Sequence, residues 1–208
     1  MTPQNGRMAQ KTSAVILDLG NVVLNWNVNG ILASLDFTED IVGHLRDELF
    51  LHQDWIDLDH GLVSETEVTA AICARAPLTR AQIEATLTKA TQSMQPIPQS
   101  LALMQDLHAA GLPLYCLSNM SRESYAHIRE QEFFRLFSGI VISGIERCMK
   151  PHADIFHLLL DRFALEPGDA LFVDDLLSNV EAAAALGIRG FHFKRSDRCY
   201  ASLRQMLL

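Results

Sequence analysis

From Pro98 to the end of the chain, short apolar runs alternate with helix-patterned segments, and this alternation restricts the fold more than any other feature. Leu101 to Ala110 has helical spacing with Gly111 as its C-terminal cap, Leu114 to Leu117 is a short apolar run, and Ser121 to Gln131 is helical again. Gly139 to Ile142, Ala170 to Val173 and Arg189 to Phe193 repeat the strand pattern. Helices over His152 to Phe163 and Val180 to Leu186 separate them, and a helix over Arg198 to Leu208 closes the chain. The run Ala14 to Leu17 reads as one more buried strand. Strands that alternate with helices in this way form a parallel sheet between helical layers, with right-handed connections. The expected fold class is therefore α/β, a doubly wound parallel sheet that binds ligands beyond the carboxyl ends of its strands.

The segment between the first strand and Pro98 has a different pattern. Asn25 to Gly30 is turn-rich, and from Ile31 to about Thr91 the spacing is helical with no strand-like alternation. Asp36 to Phe50 places Ile41, Leu45, Leu49 and Phe50 on one face of a helix. Ser64 and Glu67 form a capping-box pattern ahead of Val68 to Ala76; Pro77 stops that helix and Thr79 caps the next, Arg80 to Thr91. Pro96 and Pro98 mark the return to the alternating pattern. The chain of 208 residues is long enough for one core with a small inserted domain. The expected organisation is a polar, disordered lead-in over 1–13, an α/β core over 14–26 and 96–208, and a helical cap over 27–95.

Polar residues of particular chemistry stand where the strands stop. Asp18 follows the first run, Ser118 and Asn119 follow the second, and Asp174 and Asp175 follow the fourth, with Asn179 close behind. Lys150, next to Pro151, follows the third strand after a less regular loop. Each has an ordinary reading as a turn residue, helix cap or solvated charge. Two adjacent carboxylates at a strand end are harder to dismiss, because they repel unless a cation or hydrogen bonds compensate. Parallel strands would bring these groups to one crevice suited to Mg²⁺ and phosphate.

The net charge of −8 argues against nucleic acid or an anionic membrane as the main partner, while one local lysine still permits a small anionic substrate. Cys73, Cys116, Cys148 and Cys199 lack metal-ligand spacing and read as reduced thiols. No run is long enough for a membrane span, and the first dozen residues lack the apolar region of a secretion signal, so a cytoplasmic location is expected.

The order Asp18, Ser118, Lys150, Asp175, with the spellings Asp-Leu-Gly-Asn-Val, Lys-Pro and Asp-Asp-x-x-x-Asn, resembles the haloacid dehalogenase superfamily over nearly the whole length. The likeness extends to a branch with a small helical cap that includes bacterial sugar-phosphate phosphatases of the α-glucose-1-phosphate type. The resemblance implies Asp18 as nucleophile, an aspartyl-phosphate intermediate, and Mg²⁺ held by Asp18, Asp175 and the backbone carbonyl of Gly20. It implies that Ser118, the amide of Asn119 and Lys150 hold the phosphoryl oxygens, and that Asp174 and Asn179 orient the metal site from behind.

The expected function is Mg²⁺-dependent hydrolysis of a small phosphorylated metabolite, a sugar phosphate being one candidate. Phosphatases of the superfamily usually carry an acid two positions after the nucleophile, where this chain has Gly20. Losing that acid costs roughly 10²–10⁴-fold with poor leaving groups, so anomeric sugar phosphates or acyl phosphates are the favoured class. His52, Asp57, Asp59 and His60 of the cap are candidate proton sources. Trp55, Asp59 and His60, in a segment that reads as a polar turn, are candidate substrate contacts. Two alternatives stand beside this reading. One is a 2-haloacid dehalogenase, which needs no metal and would leave Asp174 and Asp175 uncompensated. The other is a catalytically weak protein that binds phosphorylated metabolites.

Overall fold

The computed structural model describes residues 12–208. Most of the expected lead-in therefore lies outside the described residues. Its last two residues are tied to the core: the Ser13 N–H donates to the Asp169 carbonyl at 2.8 Å, and the Thr12 hydroxyl accepts from the Arg189 guanidinium.

Five strands form one parallel sheet in the order β3-β2-β1-β4-β5, with β1 Ala14–Leu17, β2 Leu114–Ser118, β3 Phe137–Ile142, β4 Ala170–Asp174 and β5 Arg189–His192. Strands β1 and β4 are buried along their whole length, which is why they are spelled as continuous apolar runs rather than alternating ones. Side chains still alternate between two cores. Val15, Leu17, Leu114, Cys116, Leu171 and Val173 face one layer, and Ile16, Leu117, Val141 and Phe172 face the other. In register, Leu17 stands beside Cys116 and Val173, and Asp174 beside His192. Chain order reverses at β1, so its carboxyl end is the topological switch point where such sheets open a crevice.

Between β1 and Pro98 the described chain is helical: α1 Val28–Ala33, α2 Glu39–Leu45, α3 Gln53–His60, α4 Glu65–Arg75 and α5 Arg80–Ser93. Ile31, Leu32, Leu45, Leu49, Leu58, Ile72 and Ile83 give these helices an apolar core of their own. The Ser64–Glu67 capping box is present, with Ser64 N–H donating to Glu67 Oε2 at 2.8 Å and Glu67 N–H to Ser64 Oγ at 3.3 Å. Thr79 and Gln82 form a second one ahead of α5. The chain leaves and re-enters the α/β part side by side, with Asn25 N–H bonded to the Gln95 carbonyl and Ile97 N–H to the Val23 carbonyl.

Three local expectations are corrected here. The turn-rich stretch at 25–30 leads into α1, because the Asn27 side chain accepts from Gly30 N–H and caps a helix there. Residues 36–50 are not one helix; α2 begins after Thr38 and passes into a π-helical stretch, Arg46–Phe50. The expected polar turn at 55–61 is helix α3, started by His52 Nδ1, which accepts from Asp54 N–H, and ended by Gly61 at φ +77°.

The remaining helices are α6 Pro98–Ala109, α7 Arg122–Ile128, α8 Ser143–Glu146, α9 Ala153–Phe163, α10 Leu177–Ala185 and α11 Asp197–Leu207. Helices α6 and α11 cover one face of the sheet and α9 and α10 the other. Helix α9 starts at Ala153, so His152, expected as its first residue, is instead its N-cap. Helix α10 starts at Leu177, which places Asn179 inside it rather than at its cap.

Candidate active site

Strand β1 ends one residue before Asp18, whose N–H donates to the Val173 carbonyl and so continues the sheet. Beyond it the chain turns sharply through Gly20 and Asn21: Asn21 N–H bonds to the Leu24 carbonyl at 2.8 Å with φ +55°, a conformation that asparagine tolerates better than most residues. This turn aims the Asn21 side chain at Asp175, whose Oδ2 accepts from Asn21 Nδ2 at 3.0 Å.

Lys150 is the centre of the arrangement. Its side chain is almost wholly buried, and its Nζ lies 2.8 Å from Asp18 Oδ1 and 2.7 Å from Asp174 Oδ2. Two hydrogen bonds position its backbone from β2: Lys150 N–H donates to Asn119 Oδ1 at 2.9 Å, and Asn119 Nδ2 donates to the Lys150 carbonyl at 2.9 Å. Asp174 is fully used. Besides Lys150 it accepts from Leu176 N–H at 2.8 Å and from Asn179 Nδ2 at 3.1 and 3.2 Å. Asp174 and Asn179, expected behind a metal, thus grip Lys150 directly in the case of Asp174 and through Asp174 in the case of Asn179. Asn119 contributes its side chain to the Lys150 loop.

The electrostatics follow from burial. Desolvation pushes the Asp18 carboxyl up to about 7; Lys150 pulls it down, and Asp174 and Asp175 add to the rise. Asp175 is also raised, by desolvation first and then by Asp174, against the Asn21 hydrogen bond and Lys150. Lys150 is held above its usual value because its two carboxylates outweigh its own desolvation. Oxygen atoms of Asp18, Asp174 and Asp175 lie within 4.8 Å of one another. Three carboxylates against one ammonium leave an excess of negative charge, and the Asp174 oxygens are already committed. The residues therefore fit a hard divalent cation held by Asp18 and Asp175, with Gly20 at the same cavity wall.

A cavity of about 370 Å³ opens above these groups. Asp18, Gly20, Ser118, Asn119, Lys150, Asp175 and Asn179 all line it, so the strand-end residues singled out in the sequence share one space, apart from the deeply buried Asp174. The apolar part of the lining comprises Leu24, Trp26 and Met94 at the base of the helical insertion, Trp55 and Ile56 from α3, and Met120, Met149 and Leu176 from the α/β part. Trp26 stacks on Trp55 with ring centroids 5.7 Å apart, and Phe50 packs against Trp55 at 4.8 Å, which fixes the aromatic part of that lining. Of the cap residues named from sequence, Trp55 and Asp59 line the cavity. His60 turns away from it, with Nε2 3.1 Å from the Arg147 carbonyl.

Residues 12–187 match the model of the haloacid dehalogenase-like hydrolases. The chain belongs to that family. Over 201 residues it is 26% identical to the sesquiterpene phosphatase astK of Aspergillus oryzae, covering 96% of this chain and 99% of that one. It is 29% identical over 195 residues to drimenol cyclase drtB of Aspergillus calidoustus, covering 91% of this chain but 35% of the cyclase. Among solved structures, a haloacid dehalogenase family enzyme from Bacteroides thetaiotaomicron in complex with magnesium and inorganic phosphate superposes with a TM-score of 0.72 at 18% identity, covering 89% of this chain and 96% of the other. That likeness extends to the fold. Among the described residues no helix is long and apolar enough to cross a membrane.

Sequence reasoning missed Asn21 as the holder of Asp175, Asp174 as a direct partner of Lys150, and Ser143. The Ser143 hydroxyl accepts from Met120 N–H at 2.9 Å and donates to the Asp59 carbonyl. No signal for Ser143 exists in the local spelling, because both of its partners are distant in sequence.

Proposed function

We propose that this protein is a Mg²⁺-dependent phosphatase that hydrolyses a small phosphate monoester through an aspartyl-phosphate on Asp18. The observation that carries the reading is the buried Lys150 ammonium locked between Asp18 and Asp174, with Asp175 and Ser118 at the same cavity. A carboxylate attacking a phosphate ester must be ionised and must approach an anion, and a fixed ammonium serves both needs. Asp18 Oδ attacks phosphorus, the bond to the ester oxygen breaks, and water then cleaves the acyl phosphate to release phosphate. Ser118 Oγ, the Asn119 N–H and Lys150 Nζ are the groups for the phosphoryl oxygens. Asp18, Asp175 and the Gly20 carbonyl would hold the Mg²⁺, which when bound neutralises phosphate charge.

For the organic half of the substrate the apolar wall favours an apolar alcohol. The full-length likeness to a sesquiterpene phosphatase points the same way. A sugar phosphate, the class suggested by the Asp-Leu-Gly-Asn spelling, would find Asn25, Asp59 and Ser124 as hydroxyl partners in the cavity lining.

Phosphate release from farnesyl phosphate, glucose 1-phosphate and glucose 6-phosphate, with Mg²⁺ and with EDTA, separates these readings. The expected result is metal-dependent release that is highest with farnesyl phosphate. Preference for glucose 1-phosphate would restore the sugar-phosphate reading. Chloride release from 2-chloropropionate without phosphate release would replace the phosphatase by a dehalogenase.

A further inference from the structure

Breaking a P–O bond to an alkyl alcohol leaves an alkoxide, which needs a proton as it departs. The groups at the polar end of the cavity are poorly placed to give one. Asp18 is the attacking group of the proposed reaction, Lys150 is shared between two carboxylates, and Asp175 faces the cation position. Gly20 has no side chain to offer. Among the cap residues considered as proton sources, His52 Nδ1 accepts from Asp54 N–H, the Asp57 carboxyl accepts from Gln53 at 2.9 Å, and His60 is bonded to the Arg147 carbonyl. Asp59 alone of the four lines the cavity.

Its placement is fixed by contacts between the helical insertion and the α/β part. The Asp59 backbone carbonyl accepts from Ser143 Oγ, and the same hydroxyl accepts from Met120 N–H, two residues after Ser118. One hydroxyl thereby sets the distance between the end of β2 and the cap helix that carries Asp59. Two residues on, Gly61 lies so close to α8 that a Cβ there would sit 2.3 Å from the Gly144 carbonyl oxygen. The carboxyl of Asp59 is met by the Ser121 N–H and the Trp55 indole, and Asp59 lines the same cavity as Asp18 and Lys150.

We propose that Asp59 is the general acid and base of this site, reaching the substrate from α3 in the cavity it shares with Asp18. The proposal rests on the phosphatase reading above. As the ester P–O bond breaks and the bond to Asp18 forms, the Asp59 carboxyl gives its proton to the departing oxygen, which leaves as the alcohol. The resulting Asp59 carboxylate then takes a proton from the water that attacks the phosphorus of the acyl phosphate, and phosphate leaves with Asp18 and Asp59 restored.

The electrostatics suit that role. Desolvation pushes the Asp59 carboxyl up to about 7, against the two hydrogen bonds, so it is largely protonated at the slightly acidic side of neutrality. The ionisable groups on the elements around it are Asp18, Lys150 and Asp175 at the same cavity, Arg122, Glu123, Tyr125 and His127 on α7, Glu146 on α8, Arg147 at its end, and Asp54, Asp57 and His60 on α3. A group that acts as an acid is lost when it ionises, so kcat/KM for an alkyl phosphate falls as pH rises through about 7.

The test compares kcat/KM of the wild type, Asp59→Asn and Asp59→Glu on p-nitrophenyl phosphate and on an alkyl phosphate. Farnesyl phosphate is the alkyl probe, with glucose 1-phosphate in its place if the panel selects sugars. Nitrophenolate leaves as the anion and needs no proton. The expected result is a loss of roughly 10²–10⁴-fold for Asp59→Asn on the alkyl probe, and less than about tenfold on p-nitrophenyl phosphate. Asp59→Glu regains part of the loss, and the alkaline limb of the alkyl profile disappears in Asp59→Asn. Equal losses on both substrates would make Asp59 a structural residue and overturn the proposal, as would an unchanged alkyl rate. A wild type silent on both substrates would instead remove the phosphatase reading, whereas an active wild type with Asp59→Asn unimpaired removes only the role of Asp59.

Discussion

Lys150 shows how much a single buried charge can organise. Its ammonium is satisfied by Asp18 and Asp174, and its backbone by both atoms of the Asn119 amide. Removing one partner of a buried ion pair leaves the other charge stranded, at a cost of about 3–5 kcal/mol. Lys150→Met should therefore lower the thermal midpoint strongly at pH 8 as well as abolish activity. The loss should be smaller at pH 5. Without Lys150 the Asp18 carboxyl, already raised by desolvation, moves higher still and takes up a proton as the pH falls, which relieves the stranded charge. Thermal unfolding followed by circular dichroism at both pH values checks this; an unchanged midpoint at pH 8 would show that the pair contributes nothing to the fold. The four residues Asp18, Ser118, Lys150 and Asp175 were readable from sequence because each directly follows, or closes, a strand or its loop. The grip of Asp174 on Lys150 was not, since it depends on a loop that returns to β4 from 24 residues away.

At the scale of elements, the strands were the most legible part. β1 and β4 are short and buried along their whole length, so their spelling is uninterrupted, and the helical segments between the strands set them apart. Helix α4 was legible through its capping box and α5 through the cap residue Thr79. Helix α3 was not. Its sequence Gln-Asp-Trp-Ile-Asp-Leu-Asp-His carries one fully buried residue, Leu58, and part of what anchors it is the hydroxyl of Ser143, 84 residues from Asp59. Gly61 ends α3 in the left-handed region against Gly144, where a Cβ meets backbone and not a flexible side chain. Gly61→Ala should therefore cost stability by about 1 kcal/mol or more from the backbone conformation alone, and the clash should push α3 away from α8. The thermal midpoint and kcat/KM should fall together, whereas an unaltered protein would mean that the contact between α3 and α8 does not set the cavity.

For the molecule as a whole, the candidate site sits where two apolar cores meet, with Trp26 packed against both. The α/β part supplies a rigid polar floor at the switch point of the sheet, and the helical insertion supplies an aromatic wall with one carboxyl in it. Under the proposed function, phosphate chemistry belongs to the first and choice of alcohol to the second, so the two can be tested apart. The central claim is that Asp18 becomes phosphorylated. The most direct measurement is mass spectrometry of the peptide carrying Asp18 after rapid acid quenching of the Mg²⁺-loaded enzyme with its best substrate. The expected result is the mass of one phosphoryl group on that peptide, absent in Asp18→Asn and absent when EDTA replaces Mg²⁺. Phosphate release by the wild type with no label on Asp18 at any quench time would contradict the account.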